Sequence, residues 1–442
     1  MAVSADAARL RAAAPDYSRA MAAHQRRNFA FLVVDGATFA FAISLLSETT
    51  IIPAFVQTLT GSTLLVGLVA AVYAVGHYLP QVVGAHLVRG RTRRKPLLLA
   101  IVVAERVGIL AIAITAQLIG VLDTTTIVVI FFVAFGAYAV TTGLIGPVYG
   151  DFLAKAITLN RGWFFAIVQL LGGLLGFTAA LVAESIVRSN DFPYGIQLCF
   201  WICFALSFLS IFFVAGLKEE PYPHPEPRGH FRSTVREIPA LVTTDRAYRR
   251  FILARCLLAF ATLGIGFVVV DGLREGVLKP SDAALLAAVF ILSQAVLGFL
   301  LSIVGNYFGW KAVVVLGGIF LVIGMSCAVF GGFIGVYVVA FVALGGANAV
   351  TVIGDPNMSI ELAPTARTSL YLGTTSTVLA PFFILGPLIA GAVADGVGYR
   401  VVFWAAIVLA VIGVVFALRM AEPRRAPGVL EVASVGQPGV QP

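Results

Sequence analysis

The sequence predicts an all-α integral membrane protein with twelve transmembrane helices arranged as two six-helix pseudo-repeats. Three observations carry this prediction: the composition, the sidedness of the charged loops and an internal duplication. Of 442 residues, 60% are hydrophobic and 12% charged, with a mean hydropathy of +0.97. A soluble domain carries about 25% charged residues, so this chain cannot cover a water-exposed surface. A crossing helix takes about 20 mostly apolar residues. Lys218 to Arg250, the one long polar stretch inside the chain, separates two apolar territories that each hold several crossings.

The expected crossings are residues 29–55, 64–87, 97–118, 126–149, 163–187 and 196–217, then 251–270, 283–305, 312–333, 336–359, 369–393 and 401–419. They divide the chain into an N-terminal tail (1–28), a six-helix bundle (29–217), a linker or strap (218–250), a second bundle (251–419) and a C-terminal tail (420–442). The last is rich in Pro, Gly and Val without periodicity and is expected to be disordered.

Cytoplasmic loops collect Lys and Arg, which tests the map independently. With both termini in the cytoplasm, the inner side receives Arg9, Arg11, Arg19, Arg26 and Arg27, the run from Arg89 to Lys95, Lys155, Arg161, the strap, Lys311, Arg367 and the second tail. Only Arg188, Arg274, Lys279 and Arg400 fall outside, while Arg106 and Arg255 lie within helices. An odd number of crossings would scatter this bias. The expectation is a monomeric multi-pass protein of the plasma membrane with both ends cytoplasmic. The formal charge of +8 then belongs to loops beside an anionic leaflet, and nucleic acid is not an expected partner.

Cys199, Cys203, Cys256 and Cys327 lie in apolar segments. Their spacing is neither a disulfide framework nor a metal site, so no metal and no cofactor are expected. Residues 1–28 lack the apolar core and cleavage site of a secretory signal.

The duplication is local but distinct. AVTTGLIGPVYGDFLAKAITLNR ends the fourth helix and AVTVIGDPNMSIELAPTAR ends the tenth. Each runs Ala-Val-Thr, then a Pro, an acid (Asp151 or Glu361) and an Arg (Arg161 or Arg367). Six helices, a strap and six related helices follow from it.

That plan resembles the major facilitator superfamily. GPLIAGAVADGVGYRVVFW is similar to the family's Gly-x-x-x-Asp-x-x-Gly-x-Arg turn through Gly391, Asp395, Gly398 and Arg400. The loop after helix two is a degenerate version: Gly84, Arg89 and Arg93 fit, while Val88 and Arg91 replace the usual Asp and Gly. After helix eight, Gly309 and Lys311 fit, while Ser302 and Asn306 depart. The resemblance covers nearly the whole chain and implies alternating access between two rocking halves. It also implies that helices one, four, seven and ten line a central cavity and three, six, nine and twelve lie outermost. The fourth helix lacks the Arg, and the fifth the Gly-Pro pair, of the family's proton-coupled drug exporters, so no subfamily is assigned.

A charge at mid-bilayer is costly, about 2.5–3.5 kcal/mol on insertion scales, and marks function or an internal ion pair. Asp35 and Glu48, thirteen residues apart on helix one, point about 220° apart at about 3.6 residues per turn and form no dyad. Tyr73, His77 and Gln81 share one face of helix two, with Pro80 placed to kink it. His77 adds a group able to exchange protons near neutrality. Glu105 and Arg106, adjacent on helix three, read as structural charges; neighbours point about 100° apart, so Arg106 can seek either Glu105 or Asp35. Asn348, Thr351, Asp355 and Ser359 form the clearest polar stripe, on helix ten. Tyr138 and Thr141 offer an uncharged counterpart on helix four. Arg255 is close enough to the strap to snorkel.

The substrate and coupling candidates are therefore Asp35, His77, Gln81, Tyr138, Thr141, Asn348, Thr351 and Asp355, with Glu105, Arg106, Asp395 and Arg400 as structural charges. No phosphate-cradling GxxxxGK[ST] loop, nucleophile elbow, HExxH pair or catalytic carboxylate dyad occurs, which argues against an ATPase and an intramembrane enzyme. The expected function is secondary transport of a small, moderately apolar molecule, with protons as the coupling ion and export as the direction. The alternatives are a facilitative uniporter or uptake carrier and, from another class, a transporter-fold sensor.

Overall fold

The computed structural model describes residues 5–425, and within them no β-strand forms. The first crossing is α2 (Pro15–Leu46), continued by α3 (Ile51–Thr60) and preceded by a short α1 (Ala5–Ala13). The second is broken into α4 (Thr63–Tyr78) and α5 (Gln81–Val88). Next come α6 (Lys95–Gln117), α7 (Thr124–Ala156), α8 (Arg161–Ser189) and α9 (Tyr194–Gly216). The strap contains α10 (Phe231–Thr244). The second half holds α11 (Arg246–Ala261) with α12 (Ile265–Arg274), α13 (Pro280–Phe308), α14 (Trp310–Phe330), α15 (Ile334–Leu362), α16 (Thr368–Val397) and α17 (Tyr399–Leu418). Among the described residues these make 12 spans long and apolar enough to cross a membrane.

Several helices outrun the apolar runs that announce them. α2 starts at Pro15, a residue suited to the first helical turn, and its early turns insert Tyr17 and Met21 into a cluster with Val88, Phe152 and Tyr222. The residues expected as an N-terminal tail are thus mostly helical and packed. The strap, likewise, is more than a tether, since α10 buries Thr234 and Leu241. Of the expected C-terminal tail, residues 420–425 are placed and 426–442 lie outside the described residues.

Local chemistry sets the ends. Ser62 Oγ accepts from Leu65 N at 3.3 Å, Asp123 Oδ2 from Thr126 N at 2.9 Å, and Asp245 Oδ1 from Ala247 N and Tyr248 N at 3.0 Å. Each satisfies a helix N-terminal amide that has no partner within its helix. The break between α4 and α5 falls at Leu79 and Pro80, as expected of a residue without an N–H. Gly398, in the family-like turn between α16 and α17, has φ +96°, a conformation other residues rarely adopt. In the degenerate turn after α5 the positive φ, +76°, falls on Gly90, one residue before the expected position.

Apolar packing follows the two halves. One large cluster draws its buried residues from 241–420; two others draw theirs from 42–203 and 10–222. The halves meet where α4, α5 and α7 lie against α16 and where α8 lies against α13. Helices two, four and five of the first half and eight and eleven of the second therefore hold the seam together.

Close backbone approach fixes the bend in the second crossing. A Cβ on Gly143 of α7 would sit 2.5 Å from the carbonyl oxygens of Gly76 and His77. Overpacking of this kind costs about 1–3 kcal/mol. Gly143→Ala is therefore expected to lower the melting temperature of the detergent-purified protein, whereas Gly67→Ala, with nothing within 4 Å of the added carbon, leaves it unchanged.

Candidate functional site: the seam between the two halves

On the C-terminal side of the seam, Arg255 of α11 meets Asp355 of α15. Its Nη2 donates to Asp355 Oδ2 at 2.7 Å and to Thr351 Oγ1 at 3.1 Å, and Nε faces Oδ1. Both charged residues are buried. Arg255 does not snorkel to the strap: its guanidinium turns inward because an oppositely charged partner lies within reach. The opposite signs of these two intramembrane residues were the available signal.

The helix-ten stripe divides among different partners. Asn348 Nδ2 donates to Gln294 Oε1 on α13 at 2.9 Å. Ser359 Oγ bonds its own helix at Asp355 O and contacts Thr375 Oγ1, both at 2.8 Å or less. Only Thr351 and Asp355 act together.

On the N-terminal side, Arg106 reaches Glu105 beside it rather than Asp35. It also donates to Ser207 O at 3.0 Å and Ser210 Oγ at 2.8 Å. Thr142 Oγ1 donates to the other Glu105 oxygen at 3.0 Å, and the Phe39 ring covers the guanidinium at 4.7 Å. These contacts tie α6, α7, α9 and α2 into one unit. Asp35 stands within the electrostatic reach of Arg106 and Tyr149, and its Oδ1 is buried without a hydrogen-bond partner among the described residues.

Aromatic rings bridge the halves at mid-depth. His77 stacks on Tyr73 at 5.5 Å and meets Tyr78 edge-on at 5.0 Å; its Nδ1 is also buried without a hydrogen bond. Tyr78 stacks on Phe383 of α16 at 5.0 Å and lies within the fields of Asp355 and Arg255. Gln81 is buried beneath, its Nε2 donating to His77 O at 3.3 Å. A cavity of about 220 Å³ lies nearby between α2, α8 and α13, with Gln169 and Gln294 among small residues such as Gly36, Ala40 and Gly173. A larger hollow of about 470 Å³ beside Asp16, Glu220 and His224 is shallow and lies on the strap face, away from the seam.

Other candidates sit elsewhere. Tyr138 is packed beside Phe131 and Phe135 inside the first bundle, and Thr141 bonds back to Ala137 O and Tyr138 O. Asp395 is exposed. Arg400 pairs with Glu275 at 2.6 Å at the far end.

The strap face is closed by ion pairs that sequence reasoning did not assemble. Arg94, rather than the exposed Arg93, is buried and reaches Asp151 at 2.7 Å, as does Lys155. Asp6 pairs with Arg161 at 2.5 Å, Arg9 donates to Glu361 O at 2.8 Å, and Arg424 pairs with Glu361 at 2.6 Å. Arg89 and Arg367 both bind Glu226 and Glu237 of the strap, at 2.5–3.1 Å. Glu219 accepts from the amides of Arg94 and Lys95; burial pushes its carboxyl above the ordinary value despite them. The duplicated acids, Asp151 and Glu361, both hold basic side chains at this face but draw them from different elements, Arg94 and Lys155 for the first and Arg424 for the second. Among the described residues, no hydrogen bond, ion pair or ring contact joins the halves between the level of Tyr78 and Phe383 and the end opposite the strap.

This arrangement has counterparts. Residues 277–440 match the model of the Major Facilitator Superfamily. The Escherichia coli fucose:proton symporter superposes with a TM-score of 0.66 at 14% identity, covering 89% of this chain and 98% of that one. The chain has the major facilitator superfamily fold. A human organic anion transporter, MFSD10, gives 0.69 at 13% identity, with 89% and 99% covered. A bacterial homologue of the iron transporter ferroportin in an outward-facing state gives 0.65 at 13%, again with 89% and 99% covered. No curated protein matches the sequence. In the facilitator fold of this chain, the seam described above runs between the two six-helix halves.

Breaking a buried pair leaves an uncompensated charge at a cost of about 3–5 kcal/mol, whereas replacing both partners with apolar groups is often neutral. Asp355→Ala is accordingly expected to lower the melting temperature sharply, and the double variant Arg255→Met/Asp355→Leu to recover most of the loss in the same melting assay.

Proposed function

We propose that this chain is a secondary transporter that carries a small molecule through the seam by alternating access. The observation that carries the reading is the asymmetry of the seam: charge pairs close it on the strap side, whereas beyond mid-depth on the other side no hydrogen bond, ion pair or ring contact joins the halves among the described residues. The concentration of Lys and Arg on the strap side favours a cytoplasmic strap and cytoplasmic termini in a plasma membrane, so this conformation is open outward.

Asp35 is the coupling residue. Its unpartnered oxygen can take a proton, whereas Asp355 is held by an arginine that does not discharge; His77 is the second proton site. Arg255 and Asp355 cancel each other's charge, and the remaining lining is amide and aromatic: Gln169, Gln294, Asn348, Tyr73, Tyr78 and Phe383. Such a lining suits a neutral, moderately apolar molecule bearing a few hydrogen-bonding groups, with export as the direction. Catalysis forms no part of the proposal.

A thermal-shift screen identifies compounds that stabilise the folded protein. Added to proteoliposomes holding a pH-sensitive dye, such a compound is expected to change the internal pH. Asp35→Asn is expected to abolish that pH change while the thermal shift persists. Compound movement without any pH change would favour a facilitative uniporter instead.

A further inference from the structure

The strap sorts its charges by sign. Its acids are all turned inward: Glu219 caps the amides of Arg94 and Lys95, Glu220 meets His24, Glu226 and Glu237 bind Arg89 and Arg367, and Asp245 caps α11 while accepting from Tyr371. Its arginines are mostly left outside. Arg228, Arg232 and Arg236 are exposed and make no ion pair among the described residues. The outer surface of the strap is therefore positive although the segment carries acids as well.

α10 adds an apolar flank beside these arginines. At about 100° per residue, Thr234, Glu237 and Leu241 share the face turned to the protein, where Thr234 Oγ1 meets His86 and Arg89. Phe231 and Val235, each 42% exposed, and Pro239 recur every fourth residue on a neighbouring flank. Arg232 and Arg236, one residue further on, form the next flank. A helix with a protein-facing side, an apolar side and a basic side has the pattern of an element lying in a membrane interface, with its apolar residues among acyl chains and its arginines at phosphate level.

We propose that α10 docks on the surface of the same membrane the protein spans and that its arginines bind anionic phospholipid headgroups. Charge complementarity selects this occupant: every strap acid that would repel a phosphate is committed inward, and the basic flank adjoins the apolar one. The docked helix also carries Glu237, which holds Arg89 of the first half to Arg367 of the second, so anionic lipid favours the closed strap face. This last consequence rests on the transport reading above; the docking itself does not.

The test uses the full chain in nanodiscs made of phosphatidylcholine alone or of phosphatidylcholine with phosphatidylglycerol. Both leaflets have the same composition, so the outcome is independent of orientation and of any transported molecule. Hydrogen–deuterium exchange of residues 231–244 is expected to be slower in the anionic membrane, and the difference to fade with added salt. Arg232→Gln/Arg236→Gln is expected to remove the difference, each arginine changing the docking equilibrium roughly fivefold. Because both residues are exposed, the variant keeps the wild-type melting temperature, which separates lost docking from lost folding. Equal exchange in the two membranes would overturn the proposal and leave this face to a soluble acidic partner.

Discussion

A charge inside a bilayer must find an opposite charge or a proton, and the rest of this structure depends on how that requirement is met. Arg255 and Asp355 satisfy each other in the second half; Arg106 and Glu105 do so in the first, with hydroxyl and carbonyl oxygens completing the shell. Asp35 makes no ion pair among the described residues, and its Oδ1 is buried without a hydrogen bond. Paired charges hold helices in register, since separating them costs several kcal/mol. An unpaired carboxylate gains most from taking a proton. The division between scaffold and coupling chemistry follows from that difference.

The same requirement produces the asymmetry of the seam. At the strap face, cross-links between the halves pass through partly hydrated ion pairs, through α1 and through the strap itself. Such pairs are individually weaker than fully buried ones because water competes for each partner. A set of them closes one face and still exchanges for solvation when that face opens. The mid-depth contacts, Tyr78 on Phe383 and α8 against α13, are apolar or small-residue contacts along which helices can pivot.

Much of the architecture was legible in the sequence because hydropathy and loop charge report directly on the bilayer. The spans and the break at Pro80 follow from local patterns. Helix ends were less legible: hydropathy stops at the first charged residues, yet α7 runs on through Asp151 and Lys155 because they neutralise each other. The site was legible as a set of polar residues but not as a geometry. Asn348, Thr351, Asp355 and Ser359 share a helical face, and nothing in that spacing shows that Gln294, Arg255 and Thr375 claim different members of it. Tyr138 read as part of the uncharged polar face of helix four, and the packing of α7 against α6 turns it into the core instead. The role of helices two, four, five, eight and eleven at the seam is a long-range fact that no local period encodes.

The account stands most directly on the claim that the seam opens on one face at a time and that strap charges hold the other shut. Single cysteines at Asn348 or Phe383, in a chain lacking Cys199, Cys203, Cys256 and Cys327, can be challenged with a membrane-impermeant maleimide in vesicles of either orientation. Labelling is predicted from the face opposite the strap in the otherwise native chain. It should appear from the strap face once Glu237→Gln and Arg367→Gln remove the links between the halves. Equal labelling from both faces in the native chain, or a pattern unchanged by those substitutions, would contradict the account.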